Sequence, residues 1–301
     1  MSLPRAVCPA RFYLVSRRCS ERRFFLRPSP KAKRAFLYCL AEAANRFGIR
    51  VMAVLAMSNH YHAVVYDPDG VYPRFLQRFH KLAAKVLNAH LGRWEAMWAS
   101  EQTSMVELVD HVDVWRMMLY VLCNPVEAGL VATAASWPGV TSLHSMLSGT
   151  TMAVERPTWF FDDEGTMPAS VTLELHRPPG FEDLSQQEWA DTLRTAVKAR
   201  EAHFAAERER KGRRVLGRKA VLAQSPFDRP TTFEPRRKMN PRVAAHNKWR
   251  RIEALRRNRA FVVAYRVAFA ALRAGNRDAL FPAGTYELAR LGLVRCAAPP
   301  T

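Results

Sequence analysis

The 301-residue sequence predicts an α+β protein, an antiparallel sheet with helices packed on one face, followed by a mainly helical C-terminal region. Three observations carry this. Over the first half, short runs rich in β-branched and aromatic residues alternate with stretches of helical apolar spacing. Beyond that the composition turns to Pro, Thr, Asp and Gly, and then to long polar segments with helical spacing. A hydrophobic content of 49% supplies one sizeable core or two modest ones.

RFYLVS, Arg11 to Ser16, reads as the first strand, and RRFFLRP, Arg22 to Pro28, as a second that completes a hairpin. In SPKAKRAFLYCLAEAANRFG, Pro30 suits a first helical turn, Phe36, Leu37, Leu40, Ala44 and Phe47 share a face, and Gly48 stops the helix. IRVMAVLAM, Ile49 to Met57, is a strand, and after Ser58-Asn59 the run HYHAVVY is another. A second helix is expected over 72–91, with Phe75, Phe79, Leu82, Ala83, Val86 and Leu87 on one side. Ser104 to Tyr120 carries further helical spacing, so the expected order is β-β-α-β-β-α-α, closing a first domain over 1–148.

Residues 149–184 read as a linker with one docked strand, SVTLEL. A basic, mostly helical domain over 185–301 follows. SQQE, Ser185 to Glu188, fits a capping box, so a helix begins there, buries Trp189, Leu193, Val197 and Phe204, and ends at Gly212. A further helix is expected from Asn240-Pro241 to Gly275, with a break near Asn258.

A formal charge of +19 concentrates polyanions around the molecule, which makes nucleic acid the leading partner. The charge gathers late in the chain: Arg194 to Arg259 holds 21 Lys or Arg against 6 Asp or Glu. Five scattered cysteines, Cys8, Cys19, Cys39, Cys123 and Cys296, include no C-x-x-C pair for zinc or redox work and suit reduced thiols. MSLPRAVCPARFYLV lacks a signal-type apolar region and no run approaches the ~20 apolar residues of a membrane span, so a cytoplasmic location is expected.

The chemistry centres on MSNHYHAVV. Residues two apart on a strand share a face, so His60 and His62 point the same way and can converge on one divalent cation, with Tyr61 turned to the other side. Taken alone, the spacing equally suits one histidine in the core and one on the rim. A second segment, YVLCNPVEAGLV, puts Tyr120 and Asn124 one helical turn apart. Because Asn124 precedes Pro125, the helix is expected to end there and expose both groups.

HYH within MSNHYHAVV resembles the H-hydrophobe-H signature of single-tyrosine HUH transposases. YVLCNPVEAGLV closely resembles the tyrosine segment of the REP-associated tyrosine transposases, with the likeness spanning residues 8–146. The resemblance implies a ferredoxin-like sheet (the HUH fold) and cleavage and rejoining of single-stranded DNA, at hairpin or palindromic repeats, through a 5′-phosphotyrosine. It casts Tyr120 as the nucleophile, His60 and His62 as ligands of Mg²⁺ or Mn²⁺, and Asn124 as a third ligand. It implies single-stranded or hairpin DNA as partner and allows a homodimer. The sequence departs from the family where it reads SRRCSERR after the first strand and MWASEQTSMVEL in place of a basic L-W-Q-G-R-like segment.

DNA contacts are expected from Arg17 and Arg18 and, in the basic window, from Arg236, Arg237, Lys238, Lys248, Trp249, Arg250 and Arg251, with Phe227, Phe233 and Trp249 available to stack bases. The sequence contains no phosphate-binding glycine loop, in keeping with a reaction that needs no ATP. Two rivals share the motifs. One is a domesticated, non-catalytic nucleic-acid-binding protein that keeps the fold; the other is a metal-dependent phosphodiesterase that uses water instead of tyrosine.

Overall fold

The computed structural model describes residues 4–232 and 241–298. Its central unit is β1 (Arg11–Arg18), α1 (Pro30–Phe47), β2 (Arg50–Ala56), β3 (His60–Asp67), α2 (Tyr72–Leu91) and β4 (Ser104–Leu108), followed by α3 (His111–Glu127). The strands lie in the order β2-β3-β1-β4, antiparallel throughout, which is the ferredoxin-like arrangement of a βαββαβ chain. A two-residue strand, β7 (Val243–Ala244), pairs parallel with β4 and makes the sheet five-stranded. Between these come α4 (Leu143–Ser148), the hairpin β5 (Met152–Glu155) and β6 (Ser170–Leu173), the long α5 (Gln186–Arg210) and α6 (Arg218–Ala223). After β7 follow α7 (Lys248–Arg273), β8 (Leu280–Phe281), α8 (Glu287–Arg290) and β9 (Arg295–Cys296).

Strand alternation divides the sheet's side chains between two cores. On one face Tyr13, Val15, Tyr61, Ala63 and Val65 pack with Phe36 and Leu40 of α1 and Phe75, Phe79 and Val86 of α2. The Arg78 fork on Glu42 ties these two helices together at 2.8 and 3.0 Å. The opposite face carries Met52, Leu55 and Val64 against Val114, Met118, Val121 and Leu122 of α3, backed by Trp189, Leu193, Val197 and Phe204 of α5. The helices expected on one face are therefore α1 and α2, and α3 with α5 covers the other.

The caps behave as their residue types dictate. The Ser29 hydroxyl accepts from Ala32 N, Pro30 follows, and Gly48 closes α1 at φ 63°, a left-handed position that glycine tolerates. The capping box of Ser185 and Glu188 starts α5, and Lys211 caps its end just before Gly212.

Four expectations need correction. Arg22 to Pro28 forms no strand: Phe24, Phe25 and Leu26 are buried, but in a turn whose amides bond Asp228 O and Ser58 O, because Glu21 and Arg22 adopt φ 53° and 60° and swing the chain out of the sheet. Ser104 to Tyr120 is not one helix, since SMVEL is β4 and α3 begins only at His111, giving β-α-β-β-α-β-α. Helix α3 runs through Pro125 to Glu127, held by the burial of Val121, Leu122, Cys123 and Val126 on the core side. Last, α7 starts at Lys248, where the Asn247 side chain accepts from Trp249 N and Arg250 N, and passes Asn258 without a break. Asn240, the cap expected from sequence, lies outside the described residues.

The C-terminal half packs back on the first. The β5–β6 hairpin lies beside α1, with Asn45 Nδ2 donating to Thr172 O at 3.0 Å and Tyr38 Oη to Pro168 O at 2.6 Å. Residues 216–232 run from the end of α3, where the Leu216 and Gly217 amides donate to Gly129 O and Leu130 O, to the turn after β1, where Asp228 O accepts from Phe24 N. Among the described residues no helix is long and apolar enough to cross a membrane.

Candidate active site

His60 and His62 stand at the start of β3, on the face toward α3. The register sets His60 opposite Arg18 and His62 opposite Ser16 on β1, and His62 opposite Leu55 on β2. Their rings meet edge to face, centroids 4.8 Å apart. Tyr120, on α3, brings its ring to 5.3 Å from that of His62, again edge to face. Asn124 follows one turn later and is buried. The structure thus brings the histidine pair and the tyrosine together, with Asn124 on the same helix.

Tyr61 points the other way and is fully buried. Its hydroxyl meets His80 Nε2 at 2.6 Å, and the Arg17 guanidinium reaches His80 Nδ1 at 2.7 Å. An arginine can only donate, so Nδ1 accepts and the neutral His80 ring carries its proton on Nε2, donated to Tyr61. Trp98 Nε1 donates to the His80 carbonyl and the Arg17 guanidinium lies over the Trp98 ring. Arg17 is thereby committed to the interior, whereas Arg18, one residue on, is exposed beside the histidine pair.

Burial lowers the pKa of His60 to about 4, and the nearby Arg18 charge adds to the shift. His62 lies well below its ordinary value, first through burial and then through His60 and Arg18. Both rings are therefore neutral at pH 7, as a metal ligand must be. His60 Nδ1 lies 2.7 Å from Asn59 Oδ1. His62 Nδ1 is buried with no hydrogen-bond partner among the described residues, the kind of nitrogen a cation satisfies. Among the described residues no three His, Cys, Asp or Glu side chains gather to hold a metal; the donors that meet here are the two imidazoles. Neutral imidazole nitrogens of this kind are donors to first-row divalent ions.

The remaining expected DNA contacts are scattered. Lys248, Trp249, Arg250 and Arg251 form the exposed first turn of α7, with Trp249 74% exposed and Arg250 paired to Asp110 at 2.8 Å. Asp110 caps α3 ten residues before Tyr120, so this turn sits about 15 Å along the helix from the tyrosine. Phe227 is half exposed and packs edge to face on Phe25. Arg236, Arg237, Lys238 and Phe233 lie outside the described residues. Sequence reasoning passed over Asn59 and His80, although a polar side chain directly before a histidine strand and a histidine among apolar helix positions were both visible.

Neither a protein-family model nor a curated protein matches the sequence. Seven chains of solved structures match this one, two of them described as transposases. One is a REP-associated tyrosine transposase bound to a REP hairpin, at 15% identity, covering 56% of this chain and 96% of that one, with a TM-score of 0.42. The other is a candidate transposase from Deinococcus radiodurans R1, at 16% identity, covering 39% and 93%, with a TM-score of 0.30.

Proposed function

We propose that the chain is a metal-dependent nuclease and strand transferase of the transposase type, which cleaves and rejoins single-stranded DNA at hairpin or palindromic repeats. The observation that carries this reading is the meeting of one phenol and two neutral imidazoles, from distant parts of the chain, on one face of the sheet. A purely structural histidine pair needs no tyrosine at its edge, and a binding module needs no unpartnered buried imidazole nitrogen.

Tyr120 Oη attacks the phosphorus of a diester, forming the Oη–P bond as the bond from phosphorus to the 3′ oxygen breaks. The phenol gives up its proton and the departing oxygen gains one, leaving a free 3′-OH and a 5′-phosphotyrosine. One ester replaces another, so the hydroxyl of a second strand can reverse the step without ATP. His60, His62 and Asn124 would hold Mg²⁺ or Mn²⁺, which when bound supplies charge neutralisation at a non-bridging phosphate oxygen. Arg18, exposed across from His60, adds a fixed positive charge where the diester must lie. A phenol with an ordinary pKa near 10 is a weak nucleophile at neutral pH, so placement contributes most of what this chain can offer.

The test is a separation of function. With a labelled hairpin oligonucleotide and Mg²⁺, His60→Ala and His62→Ala should lose cleavage while keeping most of the binding measured by filter retention. Cleavage that survives both substitutions would contradict the proposal.

A further inference from the structure

We infer that Asn59 is a positioning residue for this site: its side chain orients His60 so that Nδ1 carries the ring proton and Nε2 is left as a bare electron pair. Two hydrogen bonds carry the inference. Asn59 Nδ2 donates to Arg22 O at 3.3 Å, which fixes the amide orientation, because a carbonyl oxygen cannot stand where a donor is required. The other end, Oδ1, then faces His60 Nδ1 at 2.7 Å. An amide oxygen only accepts, so Nδ1 must donate, and a neutral imidazole has a single N–H.

The clamp is built from the backbone up. Glu21 and Arg22 take left-handed conformations, φ 53° and 60°, and this turn presents Arg22 O to the amide. Asn59 O accepts from Cys19 N at 2.8 Å, and Met57 N donates to His60 O at 2.9 Å, so the main chain on both sides is tied before the side chain acts. Among the described residues His62 has no such partner on Nδ1. The two rings are therefore held differently, His60 from behind by Asn59 and His62 by packing against Tyr120 and His60. A ligand imidazole whose second nitrogen is hydrogen-bonded has a fixed tautomer and ring angle, and loss of such a partner typically weakens metal binding about 10–100-fold.

What Nε2 is for rests on the function proposed above, whereas the tautomer does not. Histidine-labelled, metal-free protein examined by long-range ¹H–¹⁵N NMR, with His60 assigned by its loss in His60→Gln, should show His60 protonated on Nδ1. Asn59→Asp, which gives up the donor to Arg22 O but keeps an acceptor for Nδ1, should preserve that pattern, and Asn59→Ala should shift it toward Nε2. Mn²⁺ titration alone should then show affinity at least about tenfold weaker in Asn59→Ala and largely restored in Asn59→Asp. Protonation on Nε2 in the wild type, or an unchanged tautomer in Asn59→Ala, overturns the inference. An Nδ1-protonated His60 in a wild type that fails to bind Mn²⁺ supports the Asn59 clamp and counts against the metal site instead.

Discussion

At the scale of single residues, the sheet carries two histidine environments back to back. Above it His60 and His62 face Tyr120; beneath it His80 is wedged between Arg17 and Tyr61. Burial and then the Arg17 charge hold His80 well below its ordinary pKa. The unfolded chain takes up a proton there near pH 6.5 while the folded chain resists it, so stability is full above that pH and falls as pH drops below it. Urea titrations from pH 7.5 to 5 should show this fall, by up to about 1.4 kcal/mol per pH unit per buried histidine, and His80→Gln should shallow it. At pH 7.5 the same substitution should destabilise by roughly 1–3 kcal/mol, since it strips hydrogen bonds from Arg17 and Tyr61. A pH slope equal in the variant and the wild type would contradict this account. Strand parity made the shared side of His60 and His62 legible in sequence. The same rule separates Arg17 from Arg18, which composition alone treats as one basic pair, and only one of them reaches the site.

At the scale of elements, legibility followed local chemistry. Ser29, Pro30 and Gly48 bracket α1, and Ser185 with Glu188 starts α5, because caps act within a few residues and need no tertiary partner. SMVEL escaped because a five-residue strand two residues before a helix blends into the helical spacing. RRFFLRP looked like a strand because buried aromatics fit either a strand or a packed turn, and only the left-handed Glu21 and Arg22 decide between them. Pro125 stays in α3 because the burial around it outweighs one lost hydrogen bond. One close approach supports the histidine strand. Gly139 passes β2 so tightly that an added Cβ would lie 2.9 Å from Ala56 O and closer still to Trp137 Nε1, which itself donates to Ala56 O at 3.0 Å. Gly139→Ala should cost about 1–3 kcal/mol in urea unfolding and should lower cleavage, since Ala56 pairs with Tyr61 between the two histidines. An unperturbed midpoint would show that this approach is slack.

At the scale of the whole molecule, the late positive charge is carried by elements that also complete the fold. Arg257 of α7 bonds Glu107 on β4 and Arg250 bonds Asp110 at the start of α3, so two arginines anchor the helix to the sheet and to α3. Arg259, Arg266 and Arg273 recur every seven residues and stay exposed, a row opposite the buried Ala254, Phe261 and Ala268. Hairpin-DNA affinity should fall steeply with salt, and reversing Arg259 and Arg266 to glutamate should weaken binding and reduce the log–log salt slope by about 1–2. An unchanged slope would remove α7 from the interface. The central claim concerns Tyr120 itself. A 5′ label would leave with the fragment that carries the free 3′-OH, so the hairpin oligonucleotide is labelled at its 3′ end, which stays attached to a 5′-phosphotyrosine. After Mg²⁺ addition and denaturation, labelled DNA should migrate with the protein and mass spectrometry should place the phosphodiester on the Tyr120 peptide, while Tyr120→Phe gives no adduct. Equal labelling of wild type and Tyr120→Phe, or cleavage without any adduct, would contradict the account.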